Sequence, residues 1–157
     1  MEMANNDQQE GQVLRIILPW PAKGLHPNAR MHWAPRAKLT KAARALASEA
    51  AREAREAVGI GDWAERGEIP ITVAFMPPDK RPRDLDGLLS QSKAYLDGVA
   101  DGLAVNDKRF RPTLQLGAVV KGGRVVVDVA YFGLGGALER EDGLGVGGST
   151  PEWLKGL

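Results

Sequence analysis

Asp84, Asp86, Asp97, Asp101 and Asp107 fall within one stretch that holds a single lysine, Lys93. Carboxylates repel one another, so grouping them costs stability unless a cation or water relieves the crowding. Asp84 and Asp86 are two residues apart, and on extended chain their side chains point the same way. Lys93 follows Asp86 by seven residues and Asp97 follows Lys93 by four, so on one helix all three share a face. Asp107 comes after a break at Gly102–Val105 that lets the chain fold back toward the first pair. Asp84, Asp86 and Asp107 would then offer hard oxygen ligands suited to Mg²⁺, which keeps several waters. Such an ion activates water and stabilises a pentacovalent phosphate. Lys93 on the same face would neutralise the cluster, position a water or stabilise charge on a scissile phosphate. Plainer roles stand beside these: Asp84 or Asp86 as a helix N-cap, and Lys93 as an i,i+4 partner of Asp97. Two aspartates preceded by Lys80-Arg81-Pro82-Arg83 are more than capping requires.

The surroundings are basic. The formal charge of +1 hides a segregation. Between Val13 and Arg55 nine Lys/Arg face two Glu, from Asp84 to Asp107 five Asp face one Lys, and Lys108–Arg124 is uniformly cationic. An acidic strip between basic segments fits a metal site set in a polyanion-binding surface, although solvated faces can alternate in the same way. The stretch Pro19–Ala37 holds four prolines and reads as an ordered loop. It interleaves Trp20, His26, Asn28, Arg30, His32, Trp33 and Arg36, types that stack on bases and pair with phosphates. Arg30, His32 and Arg36 are candidate DNA contacts, while Trp20 more simply covers the edge of the core. Lys80, Arg81, Arg83, Arg109 and Arg111 would hold further phosphates, so binding should weaken steeply with salt.

At 157 residues the chain fits one domain with a real core. Without cysteine there is no disulfide framework or thiolate metal site, so any metal is held by oxygen or by His26 and His32. No apolar run approaches the roughly 18 residues that span a bilayer, and the acidic N-terminus is no signal peptide. The expectation is a cytoplasmic protein with no membrane partner.

Val13–Trp20 reads as the first strand, and alanine-rich Leu39–Val58 as the clearest helix. Ile69–Pro78 reads as a second strand ended by Pro77-Pro78. The acidic helix begins near Asp86 and runs through Gly102. Arg111–Phe132 reads as a β-hairpin turning at Lys121-Gly122-Gly123-Arg124. The fold class is α/β (α+β): a single small domain at 13–132, with a mixed sheet in β-α-β-α-β-β order. Residues 1–12 read as a disordered tail, 59–68 as a loop anchored by Trp63, and 133–157 as a flexible glycine-rich tail.

Several of these pieces recur together elsewhere. Leu18–Ala22 (LPWPA), the basic run before Asp84-Leu85-Asp86, Lys93 with Asp97, Asn106-Asp107 and the Lys121–Arg124 turn (KGGR) resemble the RusA family of Holliday-junction resolvases. These are small phage- and prophage-associated endodeoxyribonucleases, and order and spacing agree from about Val13 to Phe132. The resemblance implies a Mg²⁺-dependent homodimer, with Mn²⁺ able to substitute, that cuts branched DNA with one acidic cluster per subunit. By position Asp84 and Asp86 match the family's paired metal-binding aspartates, and Asp107 its third. The family commonly carries Asn after the second Asp and a catalytic lysine four residues after that Asp; here Gly87 and Ser90 stand there, and the lysine comes three later, at Lys93. A shift of three is close to one helical turn and keeps the face. The family's Asp-Asp is Asn106-Asp107 here, leaving Asp107 as the ligand, with Asn106 and Asp97 supporting from behind.

The expected function is hydrolysis of phosphodiesters in four-way DNA junctions and related branched DNA. A two-fold dimer suits symmetric incisions. The alternative is a non-catalytic branched-DNA-binding protein on the same scaffold. A weaker third is hydrolysis of a small phosphorylated metabolite.

Overall fold

A computed structural model describes residues 12–59 and 67–131. The expected tails and the Trp63 loop lie almost wholly outside these residues. The order is β1 (Gln12–Pro19), a 3-10 turn (Lys23–Leu25), α1 (Trp33–Val58), β2 (Ile69–Met76), α2 (Leu85–Gln91), α3 (Lys93–Leu103), a second 3-10 turn (Asp107–Arg109), β3 (Phe110–Leu116) and β4 (Arg124–Tyr131). This is the expected mixed α+β domain. Among the described residues no helix is long and apolar enough to cross a membrane.

Period-two alternation builds the sheet. Leu14, Ile16 and Leu18 of β1 are buried between exposed neighbours, and Ile69, Ile71, Val73 and Phe75 of β2 are buried between half-buried ones. Val125, Val127 and Val129 of β4 complete the inner face, which packs with Leu88, Tyr95, Val99 and Leu103 of the helices. Each fully buried side chain of this size contributes about 1.5–3 kcal/mol.

The strand order is β1-β4-β2-β3, which corrects the expected hairpin. β3 and β4 do not pair; β2 lies between them, parallel to β3 and antiparallel to β4. The glycine turn is real, with Gly122 at φ +79° and Gly123 at φ +71°. The segment leading to it, however, steps over the end of β2. Gly117 N–H donates to Phe75 O and Val120 N–H to Pro77 O, at 2.8 and 2.9 Å. β4 takes the central place because it is apolar on both faces: even its outward Val126 and Ala130 are buried. Arg15 and Asp128, cross-strand neighbours on β1 and β4, close that face with a bidentate pair at 2.9 Å.

α1 begins at Trp33, six residues before the expected Leu39. His32 caps it, Nδ1 accepting the Ala34 N–H at 3.4 Å. Pro35 sits in the first turn, where its missing N–H breaks no helical bond. Gly59, at φ +77°, ends the helix by donating to the carbonyls of Arg55 and Glu56.

The acidic helix is two helices. Ser92, at φ −99° and ψ 6°, breaks it between α2 and α3. Its Oγ is buried with no partner among the described residues. The seven-residue spacing from Asp86 to Lys93 therefore spans a bend rather than two straight turns. α2 is tied down by Gln91, whose Nε2 donates to Pro21 O and Ala22 O at 3.1 and 2.9 Å. α3 is tied by Tyr95, whose hydroxyl donates to Pro19 O at 2.9 Å. Gly98 and Gly102 of α3 face Ala47 and Ala51 of α1 so closely that a Cβ on either glycine would strike α1 backbone.

Candidate functional site: paired aspartates beside a cationic pocket

Asp84 is the N-cap of α2, its Oδ2 accepting the Gly87 N–H at 3.3 Å. Its capping role is thus realised. Asp86 follows in the first turn, exposed, with no hydrogen-bond or ion-pair partner among the described residues. The other carboxylates of the segment are each engaged by a cation. Lys93 Nζ donates to Asp97 Oδ1 at 3.0 Å and to Asp107 Oδ2 at 3.4 Å. The hydrogen bond that Lys93 donates to Asp97 is the main cause that holds its ammonium above the ordinary value, with Asp107 adding to it against partial burial. Arg44 of α1 grips Asp101 with both forks, at 2.6 and 3.0 Å, and pulls its carboxyl below the usual range. Lys93, Asp97 and Asp107 therefore come together: Lys93–Asp97 is the expected i,i+4 pair, whereas Asp107, expected to join Asp84 and Asp86, is engaged by Lys93. Asp84 and Asp86 are not joined to them by any bond, and no group of three His, Asp or Glu residues among those described stands ready to hold a metal ion. Asn106 caps the second 3-10 turn, its Oδ1 accepting the Lys108 N–H at 2.9 Å.

The candidate DNA contacts divide. Lys80, Arg30 and His32 are exposed. His32 tilts against the exposed Trp33, ring centres 5.9 Å apart. Arg36 reaches back to the carbonyls of Leu25 and His26 and braces the loop. Arg109 donates to Gly67 O at 2.8 Å, and Arg111 pairs with Glu68 at 3.1 Å. Arg83 is the most committed: only 15% of its side chain is exposed, it pairs with Asp79 at 2.9 Å, and its guanidinium lies 5.3 Å over the Trp20 ring. Trp20 in turn meets Phe75 edge-on, so it covers the core edge as expected.

Asp79 was not singled out from the sequence. It takes Arg81 in a fork and Arg83 besides, and these two hydrogen-bonding cations hold its carboxyl far below the ordinary range. An aspartate two and four residues before arginines, beside Pro77-Pro78, was the available signal. A pocket of about 500 Å³ opens next to the paired aspartates, lined by Trp20, Lys23, His26, Arg81, Asp84 and Gln91 among others. Its size suits a small polar group, and its charge is cationic apart from Asp84.

No family model matches the chain. An uncharacterized protein of Xylella fastidiosa (strain Temecula1) is 41% identical over 99 residues, which is 63% of each chain. The chain thus spans less than two thirds of that relative's length. Among solved structures, the cyanuric acid hydrolase of A. caulinodans aligns with 77% of this chain and 38% of its own, at 15% identity and a TM-score of 0.38.

Proposed function

We propose that this chain is a Mg²⁺-dependent, structure-specific endodeoxyribonuclease that cuts four-way junctions and related branched DNA and works as a homodimer. One observation carries the reading. Every other described carboxylate between Asp79 and Asp107 is matched to an internal cation, whereas Asp84 and Asp86 stand exposed with no ion-pair partner among the described residues, and Asp84 lines a cationic pocket. Two unneutralised carboxylates two residues apart in sequence are a donor set that fits a hard, hydrated cation, which needs only one or two protein carboxylates. When bound, that ion would supply activated water and charge stabilisation at phosphorus. Asp84 and Asp86 would hold it. Asp107 would join once Lys93 lets go of it, and the freed ammonium would then face the phosphate as a cation. Lys80 and Arg30 would carry backbone phosphates, and Asp79 would fix Arg81 and Arg83 at the pocket rim.

The test is nicking of a synthetic four-way junction with and without Mg²⁺ or Mn²⁺. Asp86→Asn should abolish cutting while junction binding persists; an Asp86→Asn protein that cuts normally overturns the assignment. The second reading, a non-catalytic branched-DNA-binding protein, is favoured by the Lys93–Asp107 contact, which occupies the third carboxylate. Junction binding by the unaltered protein with no cleavage under either metal selects it.

A further inference from the structure

His26 lies in the pocket beside Asp84 and plays no part in the reading above. Its Nδ1 accepts the Asn28 N–H at 3.1 Å. A ring nitrogen that accepts cannot also carry the proton, so the neutral imidazole is held with its hydrogen on Nε2. That nitrogen occupies space left by a missing side chain. A Cβ on Gly87 would lie 3.1 Å from His26 Nε2 and 3.6 Å from Asp84 Oδ2, so the two atoms border one small volume. The backbone around the ring is fixed as well. His26 N–H donates to Lys23 O, its carbonyl accepts from Ala29 N–H at 2.9 Å, and Arg36 braces the same carbonyl.

The charges facing this volume are few. Asp79 engages Arg81 and Arg83. Lys23 lines the pocket and has no ion-pair partner among the described residues. An N–H donor and an ammonium with no ion-pair partner among the described residues therefore share a pocket whose one carboxylate, Asp84, is already drawn on by the Gly87 N–H. A lining with Lys23, Arg81 and Arg83 against one carboxylate suits an anion with several oxygens, which is what a phosphate offers.

We propose that this pocket is a phosphate subsite in which His26 Nε2–H and the Lys23 ammonium contact a DNA backbone phosphate adjoining the scissile one. The identity of that phosphate rests on the nuclease reading; the capacity to bind phosphate does not. His26 acts here as an Nε2–H donor, Lys23 as a charge, and the absence of a side chain at Gly87 is what admits the imidazole.

Two measurements test this on the full chain. In the first, inorganic phosphate is titrated while the histidine side-chain resonances are followed by NMR. The His26 Nε2 signal should shift to saturation while that of exposed His32 stays put. Gly87→Ala should lose the response, because its methyl crowds Nε2 while leaving His26 and Lys23 in place. Alanine is also the better helix former, so the variant's melting temperature should hold or rise. In the second, junction affinity is measured against salt without divalent metal. His26→Ala should weaken binding about tenfold, as loss of a hydrogen bond to a charged group does, with the salt slope unchanged. Lys23→Met should also lower the slope by about one. The proposal is overturned if His26 gives no response, if His32 responds equally, or if His26→Ala binds junctions like the unaltered protein. Failure of the nuclease reading would appear separately, as absent cleavage by the unaltered protein, with both binding readouts intact.

Discussion

Replacing Gly98 by alanine sets two physical effects against each other. Alanine is the better helix former by about 1 kcal/mol, so propensity alone makes the variant more stable. Packing says the reverse. A Cβ at position 98 would land on the carbonyl oxygen of Arg44 and stand 2.8 Å from the Cβ of Ala47. Carbon–oxygen contacts need about 3.3 Å, so α1 and α3 must part by roughly 1 Å. Overpacking costs about 1–3 kcal/mol, and the obstacle here is main chain, which cannot swing aside as a side chain can. Taking the upper part of that range and subtracting the propensity gain leaves a net loss of about 2 kcal/mol. For a domain of this size that lowers the melting temperature by about 8 °C. Urea unfolding followed by circular dichroism should show an earlier midpoint with an unchanged slope. Adding Ala47→Gly relieves the methyl contact but not the carbonyl, so the double variant should recover little. A Gly98→Ala protein with an unchanged or later midpoint would refute the close approach of α1 and α3.

Other outcomes follow from the ion pairs. The Asp79 carboxyl is held below its ordinary value of 3.8, chiefly by the Arg81 hydrogen bonds and then by Arg83. A carboxylate depressed in the folded state adds stability that is complete above its unfolded value and is lost as pH falls through the folded one. Acid should therefore loosen the Arg81–Arg83 rim only below pH 3.8, and Asp79→Asn should flatten the stability profile in that window; an identical acid limb in the variant contradicts this. Lys93→Gln should cost little stability at neutral pH, since its pairs are largely exposed and such pairs contribute about 0–1 kcal/mol. It should also make the protein's melting temperature more responsive to millimolar Mg²⁺ than the parent's, because Asp107 is then free. Equal responses in the two proteins would show that Asp107 takes no part in cation binding.

Much of the fold could be read from spacing. Leu14, Ile16 and Leu18, and Ile71, Val73 and Phe75, alternate as half-buried strands do, and their burial follows. The misreadings share a cause: local signals were strong where tertiary packing had the final say. The KGGR turn does have a hairpin's left-handed glycines, but a two-faced apolar β4 gains more between β1 and β2 than beside β3. Leucines at helical spacing gave no warning of the bend at Ser92. In the candidate site, the Lys93–Asp97 pair was legible from i,i+4 spacing, while Asp107, expected beside Asp84 and Asp86, meets Lys93 instead. The committed states of Arg36 and Arg83 were not, because cationic side chains look alike in sequence whether they face phosphate or the chain's own carbonyls. His26 stood out as a residue type in the Pro19–Ala37 loop, but its place in the fold did not. Its partners, Asn28 and Gly87, lie on different elements, and a missing side chain leaves no mark in the pattern.

The position of β4 also governs when the sheet can form. Gln12, the first described residue, is the register partner of Tyr131, the last. β1 and β2 do not pair with each other; β1 pairs with β4, and β2 takes β3 on one edge and β4, which follows both in sequence, on the other. A growing chain can pair β2 with β3 first, but β1 has no partner and β2 keeps one open edge until β4 emerges. Such late, long-range closure slows folding and leaves open edges that invite association with other chains. The helices can meet earlier, through Gly98 and Gly102 against Ala47 and Ala51, which gives the nascent chain a packed nucleus on which the last strand can close.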